Sequence, residues 1–362
     1  MGVKPAAVEH IYRPLFNQTR NQPAFAQVRS MLELDEHPCE SLLLVEFYDD
    51  VQEKMEALVQ KKLGKRTLLF YGDEEMAMIW NMRKAGLSLL NGMPGSLKPS
   101  PGIEDAAIAT EKLPDYVASL QKMFIRLGID VSFYGHAGPG LLHVRPILDL
   151  HTQEGVTRLR QITDEVLQLV KQFKGSIAAE HGLGIERTQY LEEHIGPELM
   201  DLTRVVKRNF DPKGIMNPGK IVDDGTYLLD HDLRYGPSYH LSLPFDPVLA
   251  FSAKDKSFVG NLEQCNGCGE CLKESPTMCP TYQAGKEEIL STRGRSNVLR
   301  SILQGKNRPI DVVASPELHE ALQYCLSCKA CKVECPSNVD MSLLKAELRS
   351  EEHTSELQSR QV

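Results

Sequence analysis

Cysteine placement constrains this chain more than any other feature of its sequence. Eight of the nine cysteines lie in the segment from Cys265 to Cys335, and only Cys39 lies elsewhere. Disulfides form in oxidising compartments, and the first residues lack the apolar stretch of a signal peptide. We therefore expect the eight clustered cysteines to be reduced thiols that bind metal. Cys39 is expected to be buried and to pack as a small apolar side chain.

Each of the two cysteine groups ends in a Cys-Pro pair. The second group has x2, x2 and x3 spacing before Pro336, which is the bacterial ferredoxin motif, whose fourth cysteine ligates the other cluster in two-cluster ferredoxins. Two zinc sites are the alternative, although zinc ribbons usually pair two CxxC knuckles. The sequence predicts two [4Fe–4S] clusters: cluster I on Cys265, Cys268, Cys271 and Cys335, and cluster II on Cys279, Cys325, Cys328 and Cys331.

The composition argues against two classes of function. The 362 residues carry a net charge of -8, whereas nucleic-acid-binding surfaces are basic, so no nucleic-acid partner is expected. No apolar run approaches the roughly 20 residues that span a bilayer. We therefore expect a cytoplasmic protein, with peripheral association at the inner face of the membrane as the alternative location.

Strand-like and helix-like patterns alternate over residues 1–221, which predicts an α+β fold. Leu42–Phe47 is predicted as a buried strand, and Gly175 as the residue just past a helix. The other predicted strands are Ile129–Tyr134 and Leu142–Ile147, and the predicted helices are Val51–Leu63, Leu113–Leu127 and Val156–Phe173.

The rest of the sequence divides by composition. Residues 222–258 are polar and weakly periodic, which indicates a linker, whereas residues 259–348 form the two-cluster domain with helices predicted over Arg295–Leu303 and Pro316–Tyr324. From Arg349 the letters RSEEHTSELQS resemble the in-frame translation of a sequencing-library adapter. We therefore interpret residues 349–362 as an artefact, the alternative being a polar helical tail.

A second candidate site lies in the α+β domain. His136 and His143 flank a Gly/Pro-rich turn between two predicted strands, and Glu180 directly precedes His181 further along the chain. Two imidazoles and a carboxylate suit a divalent metal with an open coordination position. Structural histidines are the alternative for the same residues.

Together these motifs resemble the C-terminal half of FAD-linked oxidases of the vanillyl-alcohol-oxidase type, which include D-lactate and D-2-hydroxyglutarate dehydrogenases. The cysteine segment resembles the electron-transfer domain fused to such oxidases in large bacterial enzymes. The resemblance covers nearly all of residues 1–348 and implies a substrate, or cap, domain over 36–221 followed by a mainly α-helical ferredoxin-like domain. Further motifs that carry it are Trp80-x-x-Arg83-Lys84-Ala85-Gly86, Lys98-Pro99, Glu104-Asp105, Phe210-Asp211-Pro212, Asn217-Pro218-Gly219-Lys220 and Ser291-Thr292-Arg293-Gly294-Arg295.

The resemblance implies ligand-binding roles for four residues. Arg83 and Lys98 would hold the carboxylate of a small 2-hydroxy acid substrate through charge-assisted hydrogen bonds. Asn217 and Lys220 lie at positions where the chain of family members approaches the FAD. The alternatives are ordinary surface charges for the first pair and a simple turn for the second.

The resemblance also implies a metal and a base. His136, His143 and Glu180 would bind a divalent metal, expected to be zinc, that grips the substrate hydroxyl and lowers its pKa. His181 would then act as general base while hydride leaves carbon for the flavin.

Two departures from the family pattern affect these expectations. Pro139 and Leu141 replace an Asp and an Asn between the two histidines, which reduces the polar support expected around the metal. The FAD pyrophosphate-binding domain has no room in this sequence, and residues 1–35 are interpreted as its tail. We therefore expect a fragment that binds FAD weakly or not at all by itself.

The implied function is an FAD-dependent dehydrogenase of a D-2-hydroxy acid such as D-lactate, D-2-hydroxyglutarate or glycolate. Flavin converts a two-electron hydride into the one-electron steps that clusters accept, and a quinone or another electron carrier would be the final acceptor. The alternative is a non-catalytic subunit that relays electrons or docks partners. The retained set of candidate ligands argues against it, because a scaffold has no need of them.

Overall fold

The structure is a computed structural model that describes residues 3–20, 22–93, 95–251, 255–274, 278–304 and 315–359, with the backbone alone from residue 351. Contacts between residues divide the chain into two units, and each is described by itself. The first unit comprises Met1–Gly86 and Lys98–Pro237, and the second comprises Leu87–Leu97 and Ser238–Val362. The domain boundaries expected from composition stay predictions.

The first unit is built on an antiparallel sheet. Its strands are β1 (Ala7–Tyr12), β2 (Ser41–Glu46), β3 (Lys98–Pro99), β4 (Asp105–Ala107), β5 (Val131–His136) and β6 (Leu141–Leu148). They lie in the order β2-β1-β5-β6-β3, and β4 also pairs with β6. Residues 1–35 were expected to be the tail of another domain, but β1 lies inside this sheet, because its backbone pairs with β2 on one side and with β5 on the other.

Helices cover this sheet and follow it in the chain. They are α1 (Arg13–Asn17), α2 (Ala26–Met31), α3 (Val51–Gln60), α4 (Asp73–Lys84), α6 (Leu113–Leu127), α7 (Gln153–Gln172), α8 (Gly184–Ile195) and α9 (Pro197–Phe210), with single 3-10 turns at Pro23–Phe25 and Thr110–Lys112. Between α4 and α6, the helix α5 (Gly86–Asn91) belongs from Leu87 onward to the second unit. The core forms where the apolar faces of α6 and α7 meet β5 and β6, since Tyr116, Phe124, Phe133 and Val170 are all buried there.

The α+β expectation is confirmed, and α6, α7, β5 and β6 coincide with predicted elements within three residues at each end. The prediction of a buried strand at Leu42–Phe47 is wrong in one respect. This strand is β2, and Leu43 is 59% exposed because β2 lies at the end of the strand order with β1 as its neighbour. Cys39, expected to be buried, is half-buried.

The end of α7 shows why Gly175 follows it. Lys174 takes the left-handed conformation there (φ 56°), and the Gly175 N–H donates to the Val170 carbonyl at 2.9 Å. A Cβ on Gly175 would lie 2.5 Å from the Ala107 carbonyl oxygen. Gly175 is therefore required by the close approach of β4, whereas the sequence suggested a helix cap.

The second unit is mainly helical. Besides α5, its helices are α10 (Phe258–Glu263), α11 (Pro280–Gly285), α12 (Thr292–Gln304), α13 (Pro316–Gln323), α14 (Ala330–Glu334) and α15 (Met341–Ser359), with 3-10 turns at Glu270–Leu272 and Glu288–Leu290. Ser257 and Ser315 cap α10 and α13 by accepting hydrogen bonds from Gly260 N–H and Leu318 N–H. The core packs Phe258, Leu262, Leu299 and Leu344 around buried cysteines.

Three further expectations concern segments outside these cores. Among the described residues of 222–258, helix or strand begins only at Phe258. The backbone of α15 continues to Ser359, but residues 360–362 and the side chains from 351 lie outside the described residues, so the artefact interpretation of 349–362 stays a prediction. Among the described helices, none is both long and apolar enough to cross a membrane.

Candidate functional site

Strand register brings the candidate residues of the first unit together. β1 pairs with β5 so that Glu9 faces His136, and β5 pairs with β6 so that Tyr134 faces His143. β4 pairs with β6 on its other side and places Asp105 opposite His143. We call the resulting group the carboxylate–histidine site; its members are Glu9, Glu104, Asp105, His136, His143, Glu180 and His181.

The turn between β5 and β6 depends on Gly140. Its φ is 86°, and a Cβ at this position would lie 1.9 Å from the Ile108 carbonyl oxygen. Ile108 N–H donates to the Gly140 carbonyl at 2.9 Å, which fixes the turn against the end of β4. Pro139 therefore lies in a turn that is held by backbone contacts, and Leu141 begins β6 directly after it.

Three imidazole nitrogens converge on one carboxylate oxygen. The Nε2 atoms of His136, His143 and His181 lie 3.5, 3.2 and 3.4 Å from Oε1 of Glu180. The rings of His143 and His181 stack with centroids 4.9 Å apart, and that of His136 stands edge-on to His143 at 5.9 Å. All four predicted metal and base residues thus lie together.

The opposite ring nitrogens face other carboxylates. His136 Nδ1 lies 2.7 Å from Glu9 Oε1, while His143 Nδ1 and His181 Nδ1 lie 3.2 and 2.8 Å from the two oxygens of Glu104. A carboxylate accepts, so each Nδ1 carries the proton, and in the neutral ring Nε2 presents its lone pair towards Glu180.

Asp105 holds the backbone of the Glu180-His181 loop. Its Oδ2 accepts hydrogen bonds from the N–H groups of Ala179, Glu180 and His181 at 2.9, 3.1 and 2.9 Å. Its Oδ1 is buried without a hydrogen-bond partner and lies 3.8 Å from His181 Nδ1. Within the described residues, Asp105, His143, Glu180 and His181 each offer a ligand atom, all within 4.8 Å of one another.

Arginines compensate part of the negative charge. Burial opposes ionisation of Glu104, but hydrogen bonding to His143 and His181 and the charge of Arg145 outweigh it and hold the pKa of Glu104 at about 2. Arg187 NH2 also lies 3.2 Å from Glu104 Oε1.

Glu186 behaves oppositely to Glu104. Burial, together with repulsion from Glu104, outweighs the attraction of Arg187 and raises the pKa of Glu186 to about 7.

The predicted substrate-binding residues occupy different places. Arg83 is buried, with both Nε and NH2 at 2.8 Å from Glu9 Oε2, and its guanidinium lies 5.4 Å from the Tyr134 ring centroid. Lys98 lies on β3 opposite Leu148, five residues along β6 from His143, which is about 17 Å of strand. The structure therefore brings Arg83 next to the carboxylate–histidine site, whereas it places the Lys98 backbone further along the sheet.

Asn217 and Lys220 lie in the loop that follows α9. Asn217 has a φ of 48°, and Lys220 N–H donates to its carbonyl at 3.3 Å. The buried Asp211 accepts from Ile215 N–H and Met216 N–H, and Thr188 Oγ1 accepts from Ile221 N–H at 3.0 Å. The loop is thus a turn anchored to α8, and its relation to FAD stays a prediction.

Sequence reasoning missed Glu9 and gave Glu104 and Asp105 no role. Glu9 is 5% exposed and joins Arg83 to His136. The signal in the sequence is periodicity, because Glu9 lies two residues from the buried Ile11 and so on the same face of β1. A carboxylate on the buried face of a strand needs a charged partner.

The cysteines predicted for cluster II line one cavity of the second unit. Cys279, Cys325, Cys328 and Cys331 surround it, and Arg295 closes one side. Burial raises the pKa of the Cys331 thiol to about 11, although backbone N–H groups of Met341 and Ser342 point at its sulfur.

Cys335 lies among the cysteines predicted for cluster I. Burial raises the pKa of its thiol to about 12, and charge on Cys265 or Cys268 would raise the pKa further. Backbone N–H groups of Ser337 and Val339 point at the Cys335 sulfur, and Arg293 N–H lies 3.4 Å from the Cys271 sulfur. N–H donors aimed at sulfur are typical of iron–sulfur ligation, so the donors present fit two four-thiolate clusters with exchanged fourth ligands.

Comparison with protein families decides the assignment of both units. Residues 1–221 match the family model described as FAD linked oxidases, C-terminal domain. The chain belongs to this family. Residues 261–339 match the 4Fe-4S dicluster domain, which confirms the predicted joining of the two domains and favours iron–sulfur clusters over zinc in the cysteine segment. The two matches support FAD and iron–sulfur clusters as the cofactors.

Individual relatives agree with the family assignment. The chain is 29% identical over 387 aligned positions to the D-2-hydroxyglutarate dehydrogenase of Haemophilus influenzae, covering 94% of this chain and 37% of that protein. It is 30% identical to the glycolate oxidase subunit GlcD of Bacillus subtilis, covering 47% of this chain and 35% of that protein. It is 35% identical to a D-lactate dehydrogenase of Archaeoglobus fulgidus, covering 33% and 26%. The chain thus spans well under half the length of these relatives.

Proposed function

We propose that this chain is part of an FAD-dependent D-2-hydroxyacid dehydrogenase that passes electrons from flavin through two [4Fe–4S] clusters to an external acceptor. The proposed substrate class is that of small 2-hydroxy acids, because the three relatives are named for D-2-hydroxyglutarate, glycolate and D-lactate. The acceptor is a quinone or another electron carrier. Cytoplasmic location with peripheral attachment to the inner face of the membrane belongs to the same proposal.

The observation that carries the proposal is the convergence of three Nε2 atoms on Glu180. Each opposite Nδ1 faces a carboxylate, so the Nε2 lone pairs and the Glu180 oxygen would repel one another without a cation between them. The surroundings point the same way, because Arg83, Arg145 and Arg187 do not balance the carboxylates. Those carboxylates are Glu9, Glu104, Asp105 and Glu180.

The donors indicate which metal the site would take. Imidazole nitrogen with one or two carboxylate oxygens suits zinc and other divalent first-row metals. We propose His136, His143 and Glu180 as the ligands, with Asp105 as a further oxygen donor. A divalent metal held there would lower the pKa of a bound substrate hydroxyl.

Glu9 and Glu104 keep the ligands in place. Glu9 fixes the ring of His136 and, through its other oxygen, the guanidinium of Arg83. Carboxylates that accept from the distal nitrogen of a ligating histidine orient the ring and raise its basicity. Pro139 and Leu141 are therefore no loss of support, because the support comes from β1 and from Glu104.

His181 is proposed as the general base. Its Nδ1 lies 2.8 Å from the ionised Glu104, so in the neutral ring Nε2 carries the lone pair that can accept a proton from the substrate hydroxyl. The ion pair with Glu104 would then stabilise the imidazolium. Arg83 and Lys98 are proposed to bind the substrate carboxylate, and Asn217 and Lys220 to approach the FAD, which accepts the hydride and releases electrons singly.

The test is an anaerobic assay of the complete enzyme with a panel of D-2-hydroxy acids and an artificial acceptor, together with metal analysis. We expect His143→Ala to lose both the divalent metal and turnover, since it removes a buried ligand. His37→Ala is the matched control, because His37 is an exposed histidine paired with Glu33 on the surface. Unchanged turnover and metal content in His143→Ala would refute the site.

The same assay separates the alternative function. A subunit that only relays electrons would keep reducible clusters but would show no turnover with any hydroxy acid. That result in the complete enzyme would replace the dehydrogenase proposal by the relay proposal. Membrane attachment is tested by flotation of the enzyme with vesicles that contain anionic lipid.

A further inference from the structure

Arg295 is one of the most deeply buried large side chains of the second unit. It is 2% exposed and lies on α12, two residues after Arg293. Its Nε donates to the Ala321 carbonyl at 2.7 Å and its NH2 to Thr281 Oγ1 at 3.1 Å. Its NH1 lies 4.0 Å from the Cys279 sulfur.

The charge of Arg295 has no carboxylate partner within ion-pair distance among the described residues. A buried guanidinium without a counter-charge is strongly disfavoured, and its two carbonyl and hydroxyl acceptors are neutral. The cavity that Arg295 lines also contains the four cysteines of cluster II. A [4Fe–4S] cluster with four thiolates is dianionic when oxidised and trianionic when reduced, so it supplies the missing negative charge.

Cluster I has a different environment. The side chain of Arg293 is 24% exposed and is neutralised by Glu288, with Nε and Oε1 2.8 Å apart. Glu270, next to Cys271, pairs with Lys273 at 2.6 Å. At cluster II, by contrast, the carboxylate of Asp340 is paired with Lys332 at 3.3 Å. The buried Lys345 also donates a hydrogen bond to the Cys325 carbonyl there.

We propose that Arg295 is a buried counter-cation of cluster II and makes cluster II the higher-potential cluster of the pair. A fixed positive charge in a low-dielectric interior stabilises the reduced cluster more than the oxidised one, because the reduced cluster carries one more negative charge. Within the domain one electron then moves from cluster I to cluster II: cluster I is oxidised from the +1 to the +2 core, cluster II is reduced from +2 to +1, and no proton moves.

This inference rests on the cluster ligand sets proposed above but is independent of the hydroxyacid chemistry. The test is anaerobic redox titration of the full cluster-loaded chain, followed by electron paramagnetic resonance, with iron and sulfide counted in parallel. In Arg295→Gln we expect the higher of the two midpoint potentials to fall. The equilibrium constant for electron transfer from cluster I to cluster II should decrease at least tenfold, which corresponds to about 59 mV for a one-electron couple. The lower-potential wave should move less.

Two further variants keep the inference falsifiable. Arg295→Lys keeps the charge and should keep the higher potential near that of the parent, even if Arg295→Gln fails to load its cluster. Arg293→Gln, in the same sequence motif, removes a charge that Glu288 already neutralises and should leave the higher-potential wave in place. An equal fall in Arg295→Lys, or a fully loaded Arg295→Gln with both waves unchanged, would overturn the inference.

Discussion

The two units hold their metal ligands in different ways. In the carboxylate–histidine site, strand register places the ligands and a second carboxylate fixes each ring from behind, as Glu9 does for His136. In the cysteine segment, short helices and turns hold the thiols, and left-handed residues such as Ser327 and Lys329 shape the loop between them. Burial raises the pKa of the Cys331 and Cys335 thiols, so binding of iron would favour their ionisation.

This difference implies different responses to metal loss. A site defined by a sheet keeps its shape without its ion, because backbone pairing and the core behind it are unaffected. A site defined by turns derives much of its folding energy from the metal. The first unit should therefore fold independently of its metal, and the second should not.

The largest expected effect tests the crossed ligand sets. Cys335→Ser should remove cluster I, although Cys335 belongs to the second cysteine group, and should leave cluster II loaded, so that about half of the iron is lost. Cys279→Ser should do the converse. Iron and sulfide analysis with electron paramagnetic resonance measures both, and Cys39→Ser is the control. Loss of the cluster of its own group from Cys335→Ser would show that the sets are not exchanged.

A second prediction concerns the sheet. Gly140→Ala should lower the free energy of unfolding of the first unit by about 2–4 kcal/mol, because the new Cβ meets the Ile108 carbonyl oxygen at a positive φ. Gly128→Ala also has a positive φ, at the end of α6, but its Cβ would enter open space and should cost about 1 kcal/mol. Urea unfolding followed by circular dichroism compares the two, and equal losses would contradict the account of the turn.

A third prediction concerns the carboxylate behind the ligand. Glu9→Gln should weaken divalent metal binding about 10–100-fold while leaving the fold intact, because Gln cannot fix both His136 and Arg83. Calorimetric titration with zinc measures the change. Glu46→Gln, which alters a carboxylate on β2 of the same sheet, is the control. Equal affinities in Glu9→Gln and the parent would show that strand register alone suffices.

The smallest expected effect is a dependence of stability on pH. Because the pKa of Glu186 is raised to about 7 by burial, the folded chain retains a proton that the unfolded chain loses near pH 4.5. The contribution of Glu186 to the free energy of unfolding should be greatest below about pH 4.5. It should fall by about 1–2 kcal/mol as pH rises through 7. Glu186→Gln should remove this fall, whereas Glu198→Gln on exposed α9 should not. Urea unfolding of the parent and both variants between pH 5 and 8 measures this difference.

Sequence predicted the periodic elements well and the site only in part. Helices α6 and α7 have apolar faces that reveal their bounds, and the cysteine spacing identified the second domain. The contribution of Glu9 could not be predicted, because it depends on the pairing of β1 with β5, which are far apart in the chain. The same reason explains why residues 1–35 were assigned to another domain and why β2 was expected to be buried.

The most direct test of the central claim is reduction of the clusters by substrate. The complete enzyme, free of oxygen, is mixed with D-2-hydroxyglutarate, D-lactate or glycolate, and the reduced clusters are followed by electron paramagnetic resonance. At least one of these acids should reduce both clusters in the parent enzyme, and none should do so in His143→Ala, although dithionite still reduces the clusters of that variant. Cluster reduction by the acid that is equally fast in His143→Ala would contradict the proposed role of the carboxylate–histidine site.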